Sequence, residues 1–388
     1  MAEGTLLERA RALVPALRDR AEETERLGRL PDVTIAELRD AGLLRALQPR
    51  RFGGDQQPLS AFYQAQIEIA RACGSSGWVL GVLGIHNWML AMFAEPAQRD
   101  VWETDPDVLT ATSFMPAGRV EPVAGGFRLS GLWGFASGCD HCRWAILGAI
   151  LGSSGDGPPD FRVFLVPVSD YAIVDDWQVA GLRGTGSKSL RVTDAFVPEH
   201  RVLALIDTLR GTEPGRKLHD APLYRLPFAS VFAYAIAVSA VGIAEGALEA
   251  FRERTSKRLL AYSRERQALL APTQVRLGEA AGEIDCARML LERDVGEMEG
   301  QVATGQLPTF AQRGRYRFDA SYLVLLCKRA VERLMAASGG GALQDSNPLQ
   351  RASRDLMAMS AHAKLNPDEA SELWGRVQLG LPPNDALI

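Results

Sequence analysis

VLTATSF (108–114), GRVEPVAGG (118–126), FRLSGLWGFAS (127–137), RWAILGAIL (143–151), FRVFLVPV (161–168), YAIVDDW (171–177) and SLRVTDAFVP (189–198) form one uninterrupted block of short apolar and β-branched runs. Gly, Pro and Asp separate them, which predicts an antiparallel sheet or barrel. Gly125-Gly126, between the second and third runs, suits a hairpin turn. Parallel α/β proteins alternate strand with helix, whereas here all the strands fall together.

The flanks of this block are helical. Upstream, LLERARALVPALRDRAEETERLG (6–28) places apolar residues three and four apart. Thr34-Ile-Ala-Glu37 reads as a capping box opening a helix that Gly42 closes. After the turn residues of Pro49-Arg-Arg-Phe-Gly-Gly54, helical spacing returns in 59–74 and 78–94. Downstream, the pattern predicts helices over 226–258, 272–302, 308–337 and 348–364, with breaks at 269–272, 305–308 and 338–341 that fold them into an antiparallel bundle. The expected organisation is α+β, with an N-terminal helical domain (1–106), a central antiparallel β-domain (107–212) and a C-terminal four-helix bundle (213–388).

Composition narrows the function. Forty-three Lys and Arg against forty-seven Asp and Glu give a net charge of −4, so no basic field exists for nucleic acid or an anionic membrane. The amino terminus lacks the order of a signal peptide, and the uncharged run 226–244 reads as a buried helix rather than a membrane span. Five scattered cysteines predict reduced thiols and a cytoplasmic protein. Five histidines leave few groups for proton chemistry near neutral pH; His141, His200 and His219 are expected at the surface.

Several motifs that look chemical fail on spacing. Gly181-Leu-Arg-Gly-Thr-Gly-Ser-Lys-Ser189 is not a phosphate loop, because Ser187 stands where lysine is needed and a strand follows instead of a helix. No Gly-x-Gly-x-x-Gly lies between a strand and a helix, so reducing equivalents would have to come from elsewhere. Cys139-Asp-His-Cys142 has no second ligand pair, and no metal site is expected. A nucleophile elbow is missing too.

The order of helices, β-domain and bundle resembles the acyl-CoA dehydrogenase fold, as do the local texts LPDVTIAELRDAGLLRALQPRRFGG (30–54), GLRGTGSKSLRVTDAFVPEHRVL (181–203), YSRERQALLAPTQVRLGEAAGEIDCARMLL (262–291) and the GGG (339–341) followed by RASRDL (351–356). Dehydrogenases of this fold keep a catalytic glutamate after the Arg-Asp pair. Here Arg354-Asp355 leads into LMAMSAHAKL (356–365), with Ala363 at the glutamate's place and His362 beside it. Gly84-Ile-His86-Asn-Trp88, Thr110-Ala-Thr-Ser-Phe114 and Ser130-Gly-Leu-Trp-Gly-Phe-Ala-Ser-Gly-Cys-Asp-His-Cys142 are similar instead to the oxygenase components of two-component flavin-dependent monooxygenases, the branch of p-hydroxyphenylacetate, secosteroid and natural-product ring hydroxylases.

That resemblance implies hydroxylation of a phenolic or indolic substrate through a flavin C4a-hydroperoxide, with O2 as co-substrate. Reduced FAD is favoured over FMNH2 and comes from a separate NAD(P)H:flavin reductase. It implies a homo-oligomer, dimer or tetramer. It assigns Ser137 to the flavin N5 hydrogen, His86 to the substrate's proton, and His362 to positioning substrate or returning a proton. Trp133, Phe135 and Ala136 would make a dry flavin wall. Thr112, Ser113 and Trp88 would meet substrate, with Thr112 and Ser113 undivided as hydrogen-bonding partners. Arg264, Arg266 and Gly340 would approach the flavin's phosphate tail. The alternatives are a nitrogen or sulfur oxygenase, an acyl-CoA dehydrogenase with a displaced base, and a degenerate scaffold.

Overall fold

The computed structural model describes residues 4–152 and 159–382. Six helices come first: α1 (Leu6–Asp19), α2 (Ala21–Leu27), α3 (Asp32–Asp40), α4 (Leu59–Ala72), α5 (Gly74–Leu90) and α6 (Glu95–Trp102). Gly42, with φ 70°, follows the end of α3 as expected. The capping box at Thr34 does not form, because α3 begins two residues earlier. Thr34 and Glu37 turn instead to Arg20, which donates to both. Capping boxes stand at Thr5 with Glu8 and at Thr309 with Gln312.

The β-domain contains β1 (Thr110–Val123), β2 (Gly126–Ala136), β3 (Trp144–Leu151), β4 (Asp160–Pro167), β5 (Tyr171–Val174), β6 (Lys188–Pro198) and β7 (Val202–Ala204) in one sheet of order β5-β6-β2-β1-β3-β4-β7. The first two runs of the sequence fuse into the long, irregular β1, and the short β7 restores the total of seven strands. The expectation of an antiparallel sheet needs correction, since β1 and β3 pair in parallel. With β1 lying between β2 and β3, the chain must cross it and run the same way. The hairpin turn forms as expected, with Val123 opposite Gly126 and Gly125 at φ 78°.

After α7 (Leu205–Arg210) come the bundle helices α8 (Phe228–Lys257), α9 (Ala271–Ala303), α10 (Phe310–Ser338) and α11 (Pro348–Ser360), then α12 (Pro367–Gln378). Helix α8 is long and apolar enough to cross a membrane, yet 78% of its most apolar window is buried against the rest of the chain.

Every residue of α5 is buried. It packs against α4, α8, α11 and β1, so all three parts of the chain close on it. Its glycines permit that closeness: an added Cβ would lie 2.8 Å from Ala70 N at Gly77 and 2.7 Å from the Ala235 carbonyl oxygen at Gly81. Polar bonds reinforce the α4–α8 seam behind it. Gln66 Nε2 donates to the Ala235 carbonyl at 2.8 Å, and Tyr63 donates to the Val231 carbonyl at 3.0 Å. Gly81→Ala should therefore cost about 3 kcal/mol through backbone overpacking. Gly375→Ala in α12, where a Cβ meets nothing within 4 Å, should be neutral or stabilise by up to about 1 kcal/mol. Denaturation midpoints check the pair.

Candidate active site

Helix α5 supplies two side chains of the candidate site, Trp78 and His86. Eight residues separate them, about 12 Å along the axis. His86 is 2% exposed. Its Nδ1 lies 2.6 Å from the Thr110 carbonyl, which can only accept, so the ring proton sits on Nδ1. Nε2 then carries the lone pair, and Thr112 Oγ1 donates to it at 2.5 Å. Burial holds the imidazole neutral, with its pKa lowered to about 4. Thr112 and Phe114 share one face of β1. Phe114 meets Phe228 and Phe232 edge-on, at centroid distances of 5.4 and 4.7 Å. A cavity of about 40 Å³ lies against the two α8 phenylalanines and Leu205.

At the other end of α5, Trp78 Nε1 donates to Ser137 Oγ at 3.0 Å. Ser137 lies 2.7 Å from Ser187 Oγ, Ser187 lies 2.7 Å from Thr185 Oγ1, and Thr185 donates to the Leu182 carbonyl at 2.9 Å. The indole of Trp78 also faces the ring of His362, with centroids 6.0 Å apart. His362 Nδ1 accepts from the Lys364 backbone N–H at 3.1 Å, which puts the proton of the neutral ring on Nε2. Burial, with Arg317 and Lys364 nearby, lowers its pKa to about 4. Trp78 thus joins the β-domain serine to the bundle histidine.

Several sequence expectations are corrected. His362 is not on a helix face, because α11 ends at Ser360 and His362 caps the short turn Ala363–Leu365. Trp133 and Ala136 are fully buried, and Trp133 Nε1 donates to the Gly148 carbonyl at 2.7 Å, so the indole faces the inside of the β-domain. Phe135 alone points outward, 64% exposed and edge-on to Trp177 at 6.1 Å. The irregularity of β2 between Trp133 and Ala136, with Phe135 at φ 64°, turns Phe135 away from Trp133, so the three do not make the single wall that the resemblance implied. Trp88 lies two residues from His86, about 200° round the helix. It is fully buried, donates to the Leu223 carbonyl and stacks on Phe228. Ser113 is committed to the Gly134 carbonyl at 2.7 Å, which leaves Thr112 as the hydroxyl beside His86.

Arg264 and Arg266 are exposed in the loop between α8 and α9, where Leu260 N donates to the Glu265 carbonyl at 2.9 Å; neither guanidinium bonds to another of the described residues. A Cβ on Gly340 would meet nothing within 4 Å, so no close approach within the chain demands glycine there. His219 and His141 are not surface residues: His219 bonds to Gln98 at 2.9 Å and His141 to the Leu30 carbonyl at 3.1 Å. Cys139 and Cys142 are buried, and burial pushes the Cys139 thiol up to about 12. No cluster of metal-ligating side chains occurs among the described residues. Sequence reasoning missed Trp78, Thr185 and Ser187. The last two lie in the segment dismissed as a failed phosphate loop.

These residues fit a flavin ring. Ser137 is buried and has an oxygen lone pair left after accepting from Trp78, and Phe135 and Trp177 offer aromatic surface outside the sheet. The architecture is that of the acyl-CoA dehydrogenase class, whose N-terminal domain model matches residues 3–104 and whose C-terminal domain model matches residues 234–367. Within that class, the chain is 40% identical over 383 residues to "Flavin-dependent monooxygenase, oxygenase subunit HsaA" of Rhodococcus jostii (strain RHA1), covering 98% of this chain and all of that one. It is 38% identical to "FADH(2)-dependent resorcinol hydroxylase, oxygenase component" of Rhizobium sp. (strain MTP-10005), covering 97% of this chain and 95% of that one. The crystal structure of 3-HSA hydroxylase from Rhodococcus sp. RHA1 superposes with a TM-score of 0.94 at 39% identity, covering 100% and 99% of the two chains. The chain belongs to the oxygenase components of two-component flavin-dependent monooxygenases.

The depressed His86 pKa has a consequence for stability. The unfolded ring titrates near 6.5 and the folded ring near 4, so the neutral ring's contribution is present above pH 6.5 and is lost as pH falls toward 4. His86→Gln should remove up to about 3 kcal/mol of that acid-side loss. Denaturation midpoints of the two proteins, compared from about pH 7.5 to 4.5, check this.

Proposed function

We infer that this monooxygenase hydroxylates a small aromatic substrate bearing an acidic O–H, a phenol, with an indole N–H as the second donor the site accommodates. The arrangement that carries the reading is His86 Nε2, unprotonated and aimed at Thr112 Oγ1, beside the Phe114, Phe228 and Phe232 cluster. A ring attacks electrophilic oxygen faster as its O–H bond is polarised, and an unprotonated imidazole can anchor a relay that does this. Thr112 gives its hydrogen to His86 and so can accept the substrate's O–H, polarising it toward Nε2. The phenylalanines provide the apolar walls of a site with few polar anchors.

Reduced flavin, when bound, would supply the electrons that activate O2, from which the transferred oxygen atom comes. Toward that group, Ser137 would accept the N5 hydrogen, Phe135 would offer its ring, and His362, beside Trp78, would donate from Nε2. Arg264 and Arg266 would reach the phosphates of a flavin held by a second copy of the chain, and Gly340 would face the same tail. We favour FAD over FMN, supported by the name of the resorcinol hydroxylase, and delivery of the reduced flavin by a separate NAD(P)H:flavin reductase, supported by the naming of the relatives as oxygenase components. We also propose a cytoplasmic homo-oligomer divided at about residues 106 and 212. Both a dehydrogenase with a displaced base and a heteroatom oxygenase are disfavoured by relatives of nearly full coverage that are named as ring hydroxylases.

A panel of phenols and indoles, each given to the protein with photoreduced FAD and air, tests the reading by mass spectrometry of products and by peroxide assay. A phenol should be hydroxylated in near-stoichiometric yield, and His86→Ala should lower product by about a hundredfold while peroxide rises to match. Ser137→Ala should release peroxide faster with substrate affinity unchanged. Turnover of thioethers or amines in preference to every phenol and indole would sink the assignment.

A further inference from the structure

The hydrogen bonds from Trp78 to Leu182 can be polarised in one direction only. At the far end, the Leu182 carbonyl accepts from the Thr185 N–H at 3.1 Å and Trp177 Nε1 at 3.3 Å. It also lies 2.9 Å from Thr185 Oγ1, and two oxygens that close repel unless the hydroxyl hydrogen lies between them, so the single hydrogen of Thr185 is directed to it. Thr185 must then accept from Ser187, and Ser187, its own hydrogen spent, must accept from Ser137. At the near end, the Trp78 indole can only donate, and it donates to Ser137. Ser137 therefore has its hydrogen turned away toward Ser187 and keeps only a lone pair to offer.

The fixed end of this chain is itself held. Leu182 stands at φ 53°, and its backbone N–H donates to Asp355 Oδ1 of α11 at 2.6 Å. Helix α11 comes so close that no side chain fits at Gly181, where an added Cβ would overlap the Arg354 carbonyl. The backbone N–H of Gly138 donates to the Thr185 carbonyl at 2.9 Å, tying the turn after Ser137 to the same segment. All four side chains from Trp78 to Thr185 are buried, so water does not compete for these hydrogens.

We propose that Thr185 and Ser187 are positioning residues that make Ser137 an obligate hydrogen-bond acceptor, and so select the reduced flavin, which carries a hydrogen on N5, over the oxidised flavin, whose N5 carries a lone pair. The proposal rests on the reading that Ser137 faces N5. Against a Ser137 that cannot donate, oxidised N5 meets a second lone pair and stays unsatisfied, a cost comparable to one hydrogen bond. Cutting the chain at Ser187 or Thr185 frees the Ser137 hydroxyl to turn and donate.

The test is equilibrium binding, without turnover. Oxidised FAD is titrated in air and photoreduced FAD anaerobically, giving the ratio of the two dissociation constants for each protein. Ser187→Ala and Thr185→Val should each shrink the wild-type preference for reduced FAD by on the order of tenfold, mainly through tighter binding of oxidised FAD. Ser187→Thr and Thr185→Ser, which keep the hydroxyls, should preserve the preference. Adding Ser187→Ala to Ser137→Ala should change nothing further. A general loosening would weaken both redox states alike and leave the ratio fixed, and that result would overturn the proposal. A ratio lowered by Ser137→Ala but untouched by Ser187→Ala and Thr185→Val would overturn it while leaving Ser137 at N5. A ratio untouched even by Ser137→Ala would remove the underlying reading as well.

Discussion

Complete burial of one seventeen-residue helix, α5, is the constraint on which the rest depends. A helix apolar on every side must be surrounded on every side. Here α4 and α8 cover it through its glycine faces, and β1, α11 and the Arg183–Thr185 turn close the remainder. The polar side chains it carries are buried with it and must find partners. His86 finds them on β1, and Trp78 finds one at the end of β2. The functional pairs are thus consequences of how the helix is enclosed, and they draw residues from three separate parts of the chain to one place.

That enclosure also explains how one scaffold serves a different reaction. Where the resemblance to dehydrogenases of this fold would place a glutamate, this chain has Ala363, and the neighbouring His362 caps a turn with its ring against Trp78. Asp355, 2% exposed and raised by burial to about 7, gives its carboxylate to the Leu182 backbone. The acidic residue of the late Arg-Asp pair is thus a structural tie between bundle and β-domain. The two imidazoles of the candidate site, His86 and His362, are kept unprotonated near pH 7 by burial.

The arrangement of helices and strands was legible because each has a periodic signature and the strands fall in one block. The parallel β1–β3 pair was not, since pairing direction depends on chain crossings that no local pattern records. At the candidate site, resemblance singled out His86, Ser137 and Thr112, whose buried hydrogen bonds no sequence pattern foretells, whereas Trp133 and Phe135 do not share a wall. The resemblance placed Trp133 with Phe135, and a single residue at positive φ turns them to opposite sides. Trp78 was hidden among the other apolar residues of α5, because nothing in a periodic pattern distinguishes an indole that only packs from one whose N–H is spent on a serine. Thr185 and Ser187 were hidden for another reason: their text resembled a phosphate loop, and the failure of that motif left them without a role.

The central claim is that side chains gathered around α5 direct one oxygen atom from O2 into an aromatic ring. A single turnover with photoreduced FAD, a hydroxylated phenol substrate and 18O2, read by mass spectrometry, tests it most directly. The account predicts a new ring hydroxyl carrying one 18O atom, with none taken from labelled water. A product labelled from water, or a desaturated product without new oxygen, would contradict it.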